Sequence, residues 1–594
     1  MLDISGSNLR GNLVRLAHKA VQTETKTCQN CKRDFTIGPD DFAFYEKMKV
    51  PAPTWCWKCR FPRRLAWRNE RSLYKRTCSL CNKSMISMFK PEVPFPVYCH
   101  DCWWSDKWDS LKFGREYDFS KSFFEQFASL QQEVPRPALY ASQNVNSDYC
   151  NHTAHLKDCY LMFGSWFSEN CAYGNSLQDC KNCWDCIFTI SSENCLYSID
   201  INKCYQTHFS QNCTGCSDSA FLYDCRNCQN CLFCYNLRNQ SYHVFNKPVS
   251  KEEFVRIRDS VLSSHTMLEK RFIEFQKNIR ERAIHKYMVG DHNSNVSGDF
   301  IYNAKNVQAS FFVEGGENDK YVVRCVKGQK DTMDTFGVNG GELGYDSNNV
   351  DFSSKVLFSI NGENNSNTEY LIDSFGVENC FGSISLNHKK YCILNKQYEE
   401  KEYVELREKI ITQMKELPYV DKAGRKYFYG EFFPIELSPF AYNETVAQEY
   451  APITKKQAEE LKYLWQETTD KGYAPTKRWD ELPETIMEVD DSILKEVILC
   501  EAWDKDKERA KEHNCSMAFK ITKDELATYR KFNLPLPRKC PNTRNFEQFQ
   551  LRNPVNIWHR QCMHEGCTNE FETSYAPDRP EIVYCEACYQ QEVA

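Results

Sequence analysis

Cysteine spacing constrains this chain more than any other feature. Thirty-two of its 594 residues are cysteine. They form pairs near both termini and, in the middle, a run whose spacings are all multiples of three. Disulfide frameworks serve small secreted domains that lack a core. With 41% hydrophobic and 14% aromatic residues, this chain can bury cores of its own. Arg10, Arg15, His18 and Lys19 interrupt the first twenty residues, so no secretory signal is read there. No window approaches the roughly 18 apolar residues of a membrane span. The expectation is a cytoplasmic protein with no membrane partner, where phased cysteines bind metal more often than they pair covalently.

The two ends are copies. With Phe35 laid on Phe519, a register of 484 residues holds from Phe35 to Cys78, which falls on Cys562. After a two-residue insertion, Cys99 and Cys102 fall on Cys585 and Cys588. In the first copy Cys28, Cys31, Cys56 and Cys59 form one set of two C-x2-C pairs, and Cys78, Cys81, Cys99 and Cys102 form a second. Two such turns supply the four thiolates of a closed, tetrahedral structural zinc site. The second copy keeps Cys562, Cys567, Cys585 and Cys588, but its other set has decayed. Cys515 and Cys540 match Cys31 and Cys56, whereas Glu512 and Thr543 stand for Cys28 and Cys59. Cys500 and His513 are candidates to complete a substitute site, the alternative being a metal-free fold held by its apolar core. Three or more structural zinc ions are therefore expected.

Between Cys150 and Cys234 lie 14 cysteines. Two ladders can be drawn, Cys150, Cys171, Cys195, Cys216 and Cys159, Cys180, Cys204, Cys225, with steps of 21, 24 and 21 residues. A repeat of that length with Asn/Asp/Ser turns predicts a parallel β-solenoid whose thiols stack inward as small apolar groups. The stretch from Phe221 matches that from Tyr370, so a second solenoid segment with only three cysteines is expected over 293–397. Helical spacing follows both, over Lys251 to about Tyr287 and Glu399 to about Leu417. The runs Cys180-Cys183-Cys186 and Cys225-Cys228-Cys231-Cys234 leave extra zinc or an iron–sulfur cluster as alternatives to packing.

The densest charge is Lys58 to Arg76. It carries Lys58, Arg60, Arg63, Arg64, Arg68, Arg71, Lys75 and Arg76 against Glu70, a balance of +7, with Trp67 and Tyr74 interleaved. Guanidinium groups contact phosphates and aromatic faces stack on bases. This patch is the candidate nucleic-acid or ribonucleoprotein surface, set against a face whose arginines pair with acids. The matching C-terminal stretch, Arg538 to Arg560, carries +4. No phosphate loop, HExxH or nucleophile elbow is found, so the chain reads as non-enzymatic. A protein-assembly scaffold and a thiol or iron–sulfur redox protein are the alternatives. Oligomeric state is not fixed by these features.

The segments KCPNTR, RNPVNIWHRQC and CTNEFETSYAPDRPEIVYCEACYQQEV, with FYEKMKVPAPTWCWKCR and FPVYCHDCWWSDKWD, resemble a family of multi-zinc-ribbon proteins of candidate-phyla bacteria. The resemblance spans nearly the whole chain and implies zinc binding in a bacterial cytosol; it brings no activity. The fold expected is multidomain α+β, with duplicated four-cysteine zinc-ribbon or treble-clef units flanking a parallel β-solenoid in two segments. Expected boundaries are an N-terminal segment at 1–24, tandem ribbons at 25–115, a helical linker at 116–140 and the cysteine-laddered solenoid at 141–248. A helical insertion at 249–292, the second solenoid at 293–397, a helical and aromatic wrapping region at 398–492 and the degenerate unit with the last ribbon at 493–594 complete it.

Overall fold

Every cysteine of the middle run directly follows a residue with left-handed backbone. In the computed structural model, which describes residues 23–467 and 474–593, positive φ recurs at every third position from Gln143 to Phe245. Asn and Asp tolerate this conformation best among residues with a side chain. They supply many of the corners, among them Asn170, Asp179, Asn182, Asp185 and Asn194. Parallel bridges join Val145 to Lys157, Lys157 to Glu169, Glu169 to Lys181 and Lys181 to Glu193. Residue i thus pairs with i+12, and four three-residue sides make one circuit. The residue after each corner points into a narrow interior: Cys171, Cys183, Cys186, Ser198, Thr207 and Cys213 are all buried there, beside larger Leu156, Met162, Leu177 and Leu222.

The expected 21- and 24-residue period is therefore corrected to twelve. Cys171 and Cys195 lie two circuits apart in one column, whereas Cys150 and Cys171 lie on neighbouring sides. All spacings are multiples of three because three residues make one side, and a thiol fits any of the four.

The second stack runs from Gly290 to Gln397, with irregular early circuits: Val296 pairs with Val307 and Lys320 with Met333. The two stacks close identically, 149 residues apart. The Asn246 side chain exchanges two hydrogen bonds with the Tyr235 backbone, and Asn395 does so with Ile384. Antiparallel pairs follow, Val244 with Lys247 and Ile393 with Lys396. Each stack then enters helix, Lys251–Leu262 with His265–Arg282 after the first and Glu400–Glu416 after the second.

The cysteine units cross between the stacks. The helix Trp57–Leu65 of the N-terminal unit docks on strands Met333–Phe336 and Tyr345–Asp351 of the second stack. Its C-terminal copy, Pro541–Gln550, docks on the first. One pair of contacts is equivalent under both duplications. Arg60 binds Asp334 at 2.6 Å, and 484 residues on, Arg544 binds Asp185 at 3.2 Å, where Asp334 follows Asp185 by 149 residues. The remainder of each unit pairs with the strand leading into the other stack: Val97 with Arg136, and Ile582 with Ile284, both parallel. Each unit therefore ties both stacks together.

Corner aromatics form columns at the twelve-residue period. Phe209, Phe221, Phe233 and Phe245 stack at 5.2, 4.6 and 4.9 Å, and Phe272 and Phe275 of the following helix pack across them. The equivalent column, with Phe358 on Tyr370 at 4.6 Å, is covered by Phe123, Phe124 and the aromatic segment Tyr427 to Phe433. The chain is a mixed α/β protein with cysteine clusters at both ends.

Candidate metal centres

Four groups of sulfurs lie within 4.8 Å of one another, and all are at the ends. Site 1 is Cys28, Cys31, Cys56 and Cys59; site 2 is Cys78, Cys81, Cys99 and Cys102; site 4 is Cys562, Cys567, Cys585 and Cys588. Site 3 has three, Cys500, Cys515 and Cys540. No cysteine among the described residues is disulfide-bonded. Sulfurs of sites 1, 2 and 4 approach at 3.8, 3.8 and 3.9 Å. A tetrahedral ion with bonds of roughly 2.3 Å spaces its sulfurs about 3.8 Å apart, whereas a disulfide needs about 2.05 Å. The donor set fits zinc.

Sites 1 and 2 share one local build, and sites 3 and 4 share its second half. The first pair lies on a tight turn: the Cys28 carbonyl accepts from Lys32 N–H, and the Cys78 carbonyl accepts from Asn82 N–H, both donors having positive φ. The third cysteine begins a helix: Cys56 caps Trp57–Leu65, Cys99 caps His100–Trp103 and Cys540 caps Pro541–Gln550. The third cysteine's amide also donates to the first sulfur, at 3.3 Å in sites 1, 2 and 4 and 3.2 Å in site 3. A helix start and oriented N–H groups favour thiolate over thiol. Burial works to raise Cys78, but the amides of Cys99, Cys81 and Leu80 outweigh it and bring the thiol down to about 6. Cys585, also opposed by burial, comes down to about 6 through Asn569 and Cys588.

Site 3 recruits Cys500 to the place of Cys28, although in the sequence register that place belongs to Glu512. Cys515 and Cys540 approach at 3.6 Å. Thr543 stands at the fourth corner, Oγ1 lying 3.3 Å from Cys540 Sγ and 3.8 Å from Cys500 Sγ. His513 does not join the group; its Nε2 lies 3.1 Å from Thr543 Oγ1. The expected substitution by Cys500 and His513 is thus half corrected. Thr543 is the residue that replaces Cys59 in the register.

The ladder thiols Cys150, Cys159, Cys171, Cys180, Cys195, Cys204, Cys216 and Cys225 are all buried in the first stack. They donate to carbonyls two residues back and nine residues ahead: Cys180 Sγ lies 3.3 Å from Gln178 O and 3.2 Å from Thr189 O. Among the described residues no stack cysteine belongs to a group of three or more such ligands. Successive triplet positions point inward from different sides of a circuit, so the C-x2-C-x2-C runs do not converge as they would around a cluster.

Most of the basic patch is buried and paired. Arg60, Arg63, Arg64 and Arg68 are at most 2% exposed. Arg63 bridges Asp346 at 2.8 Å and Glu431 at 2.7 Å, Arg64 bridges Asp346 at 2.7 Å and Asp334 at 3.2 Å, and Arg68 binds Glu70 at 2.7 Å. Burial alone would raise Glu70; Arg68 and Arg324 bring it down to about 2. Trp67 packs on Phe433 in the core. Arg71 lies over Phe163, Tyr74 donates to Glu444 and Arg76 to Lys90 O. Only Lys58 and Lys75 of the patch are exposed. Two of the acids that pair with these arginines, Asp334 and Asp346, are stack corners 270 to 283 residues away, which no local reading of charge reveals.

Among the described residues no helix is long and apolar enough to cross a membrane. No family model matches the chain, and no curated protein matches it. Among solved structures, a "putative acetyltransferase" from Desulfovibrio desulfuricans aligns over 54% of this chain and 89% of its own at 10% identity, with a TM-score of 0.11. So low a score carries no argument about fold or function.

Proposed function

We propose that the chain is a structural zinc scaffold. Its end units are zinc ribbons or treble clefs, its two stacks are segments of β-solenoid, and the zinc sites hold the units in the shape that ties the stacks together. The stack faces left free are then offered to a protein partner. The observation carrying this reading is the crossed, buried docking of Arg60 on Asp334 and Arg544 on Asp185. It gives the basic stretches an internal role. A nucleic-acid role would rest on Lys58 and Lys75, and salt-sensitive binding separates the two readings. Titrating the full chain into labelled single-stranded RNA and duplex DNA at low salt is expected to give no saturable binding. Saturable binding abolished by K58E with K75E would replace the scaffold with the nucleic-acid reading.

A further inference from the structure

The degenerate site departs from its three neighbours in one donor. We propose that Cys500, Cys515, Cys540 and Thr543 form a fourth metal site, with three sulfurs and one hydroxyl oxygen, that holds a divalent ion of the zinc class and exchanges it faster than the four-cysteine sites do. Three observations meet here. The three sulfurs lie within 4.8 Å of one another. Cys500 Sγ accepts the Cys540 amide at 3.2 Å, the contact that marks the first ligand in sites 1, 2 and 4. Thr543 Oγ1 lies 3.3 and 3.8 Å from two of the sulfurs. With a metal–oxygen bond of about 2.0 Å and metal–sulfur bonds of about 2.3 Å, a tetrahedral site has an oxygen–sulfur edge of about 3.5 Å. Thr543 sits at the corner itself.

His513 gives the hydroxyl its orientation. With Nε2 accepting from Thr543, 3.1 Å away, the oxygen lone pairs are left for the ion, the relation in which an outer partner fixes a metal ligand. The set is closed: the three cysteines and Thr543 are at most 1% exposed. That matches a held ion better than a catalytic one, which needs an open position. A neutral hydroxyl is a weaker donor to zinc than a thiolate, and the site carries one negative charge fewer. A small cavity walled by His513, Asn545, Glu449 and Arg71 lies beside it. Release is therefore expected past His513.

The test is metal stoichiometry and release from the full chain, zinc-loaded and then challenged with a chromogenic chelator. Four zinc ions are expected, one leaving faster than the other three by roughly tenfold or more, an effect that even outer-sphere partners reach. Thr543→Cys should convert the fast ion to a slow one. With cobalt(II) in place of zinc, it should raise the sulfur-to-metal absorption of that site by about a third, as three thiolates become four. Cys540→Ser should abolish the fast pool and leave three slow ions. Three ions in the parent protein, or a fast pool unchanged by Thr543→Cys, would overturn the proposal. The slow pool reports sites 1, 2 and 4 separately, so failure here is distinguishable from failure of the zinc scaffold.

Discussion

The same side chain behaves oppositely in the two cysteine-rich regions. In the first stack, thiols donate to carbonyl oxygens, as Cys195 does to Glu193 O and Cys216 to Thr214 O. At the ends, sulfurs accept from amides, as Cys28 does from Cys56 and Cys562 from Cys585. A donor is a neutral thiol filling a narrow interior; a sulfur that accepts the amide of a cysteine opening a helix has its lone pairs turned toward N–H groups and toward its neighbouring sulfurs, as a ligand's are. Two stack sulfurs, Cys171 and Cys234, also accept a backbone N–H, but neither belongs to a metal-competent group. Direction of hydrogen bonding together with convergence, rather than cysteine density, separates metal ligand from packing residue.

The largest expected effect breaks that comparison at an end. On the zinc reading, Cys102→Ser should lose one ion and unfold the segment around site 2, because structural zinc contributes on the order of 10 kcal/mol to a small site. Metal analysis and thermal melting of the variant check this.

Next comes the joint between the regions. Arg63→Met leaves Asp346 and Glu431 buried without their shared cation and should cost about 3–5 kcal/mol in denaturant unfolding. In the C-terminal copy the same position is Glu547, which forms a half-exposed pair with Lys539; Glu547→Ala should cost less than about 1 kcal/mol. Equal costs would contradict the assignment of the N-terminal charge to the interface.

His285 tests the opposite joint by pH. Its Nδ1 lies 2.7 Å from Tyr223 Oη and 3.0 Å from Tyr575 Oη, while Nε2 donates to Ile279 O. Burial lowers it to about 4. A depressed histidine adds stability above its unfolded value near 6.5, and that contribution is lost as pH falls toward 4. His285→Asn should flatten the stability profile across that window by about 3 kcal/mol relative to the parent. An unchanged slope would remove His285 from the joint.

The smallest effect lies inside the stack. Cys183→Ala should cost about 1 kcal/mol, the scale of one methyl-sized deletion, and leave the metal content unchanged. Loss of metal from this variant would erase the distinction between the regions.

Much of this was legible in the sequence. Paired spacing in the first copy and its match in the second point to all twelve sulfurs of sites 1, 2 and 4, because two cysteines a few residues apart on one turn are local chemistry. Multiples of three were visible too, but the circuit length was not. Steps of 21 and 24 differ by one side, and four interchangeable sides hide which step returns to the same column. The partners of the arginines are hidden for a different reason. Asp334 and Asp346 are turn-forming corners when read locally, and only the crossing of the two halves brings them beneath Arg60, Arg63 and Arg64. Cys500 escaped the register because the chain inserts two short helices, Glu501–Lys505 and Lys507–Glu512, between it and Cys515.

The most direct test of the central claim is elemental analysis of the full chain purified without added metal. At least three zinc ions per chain with negligible iron is the expected result. Stoichiometric iron, or less than one zinc per chain, would contradict the account.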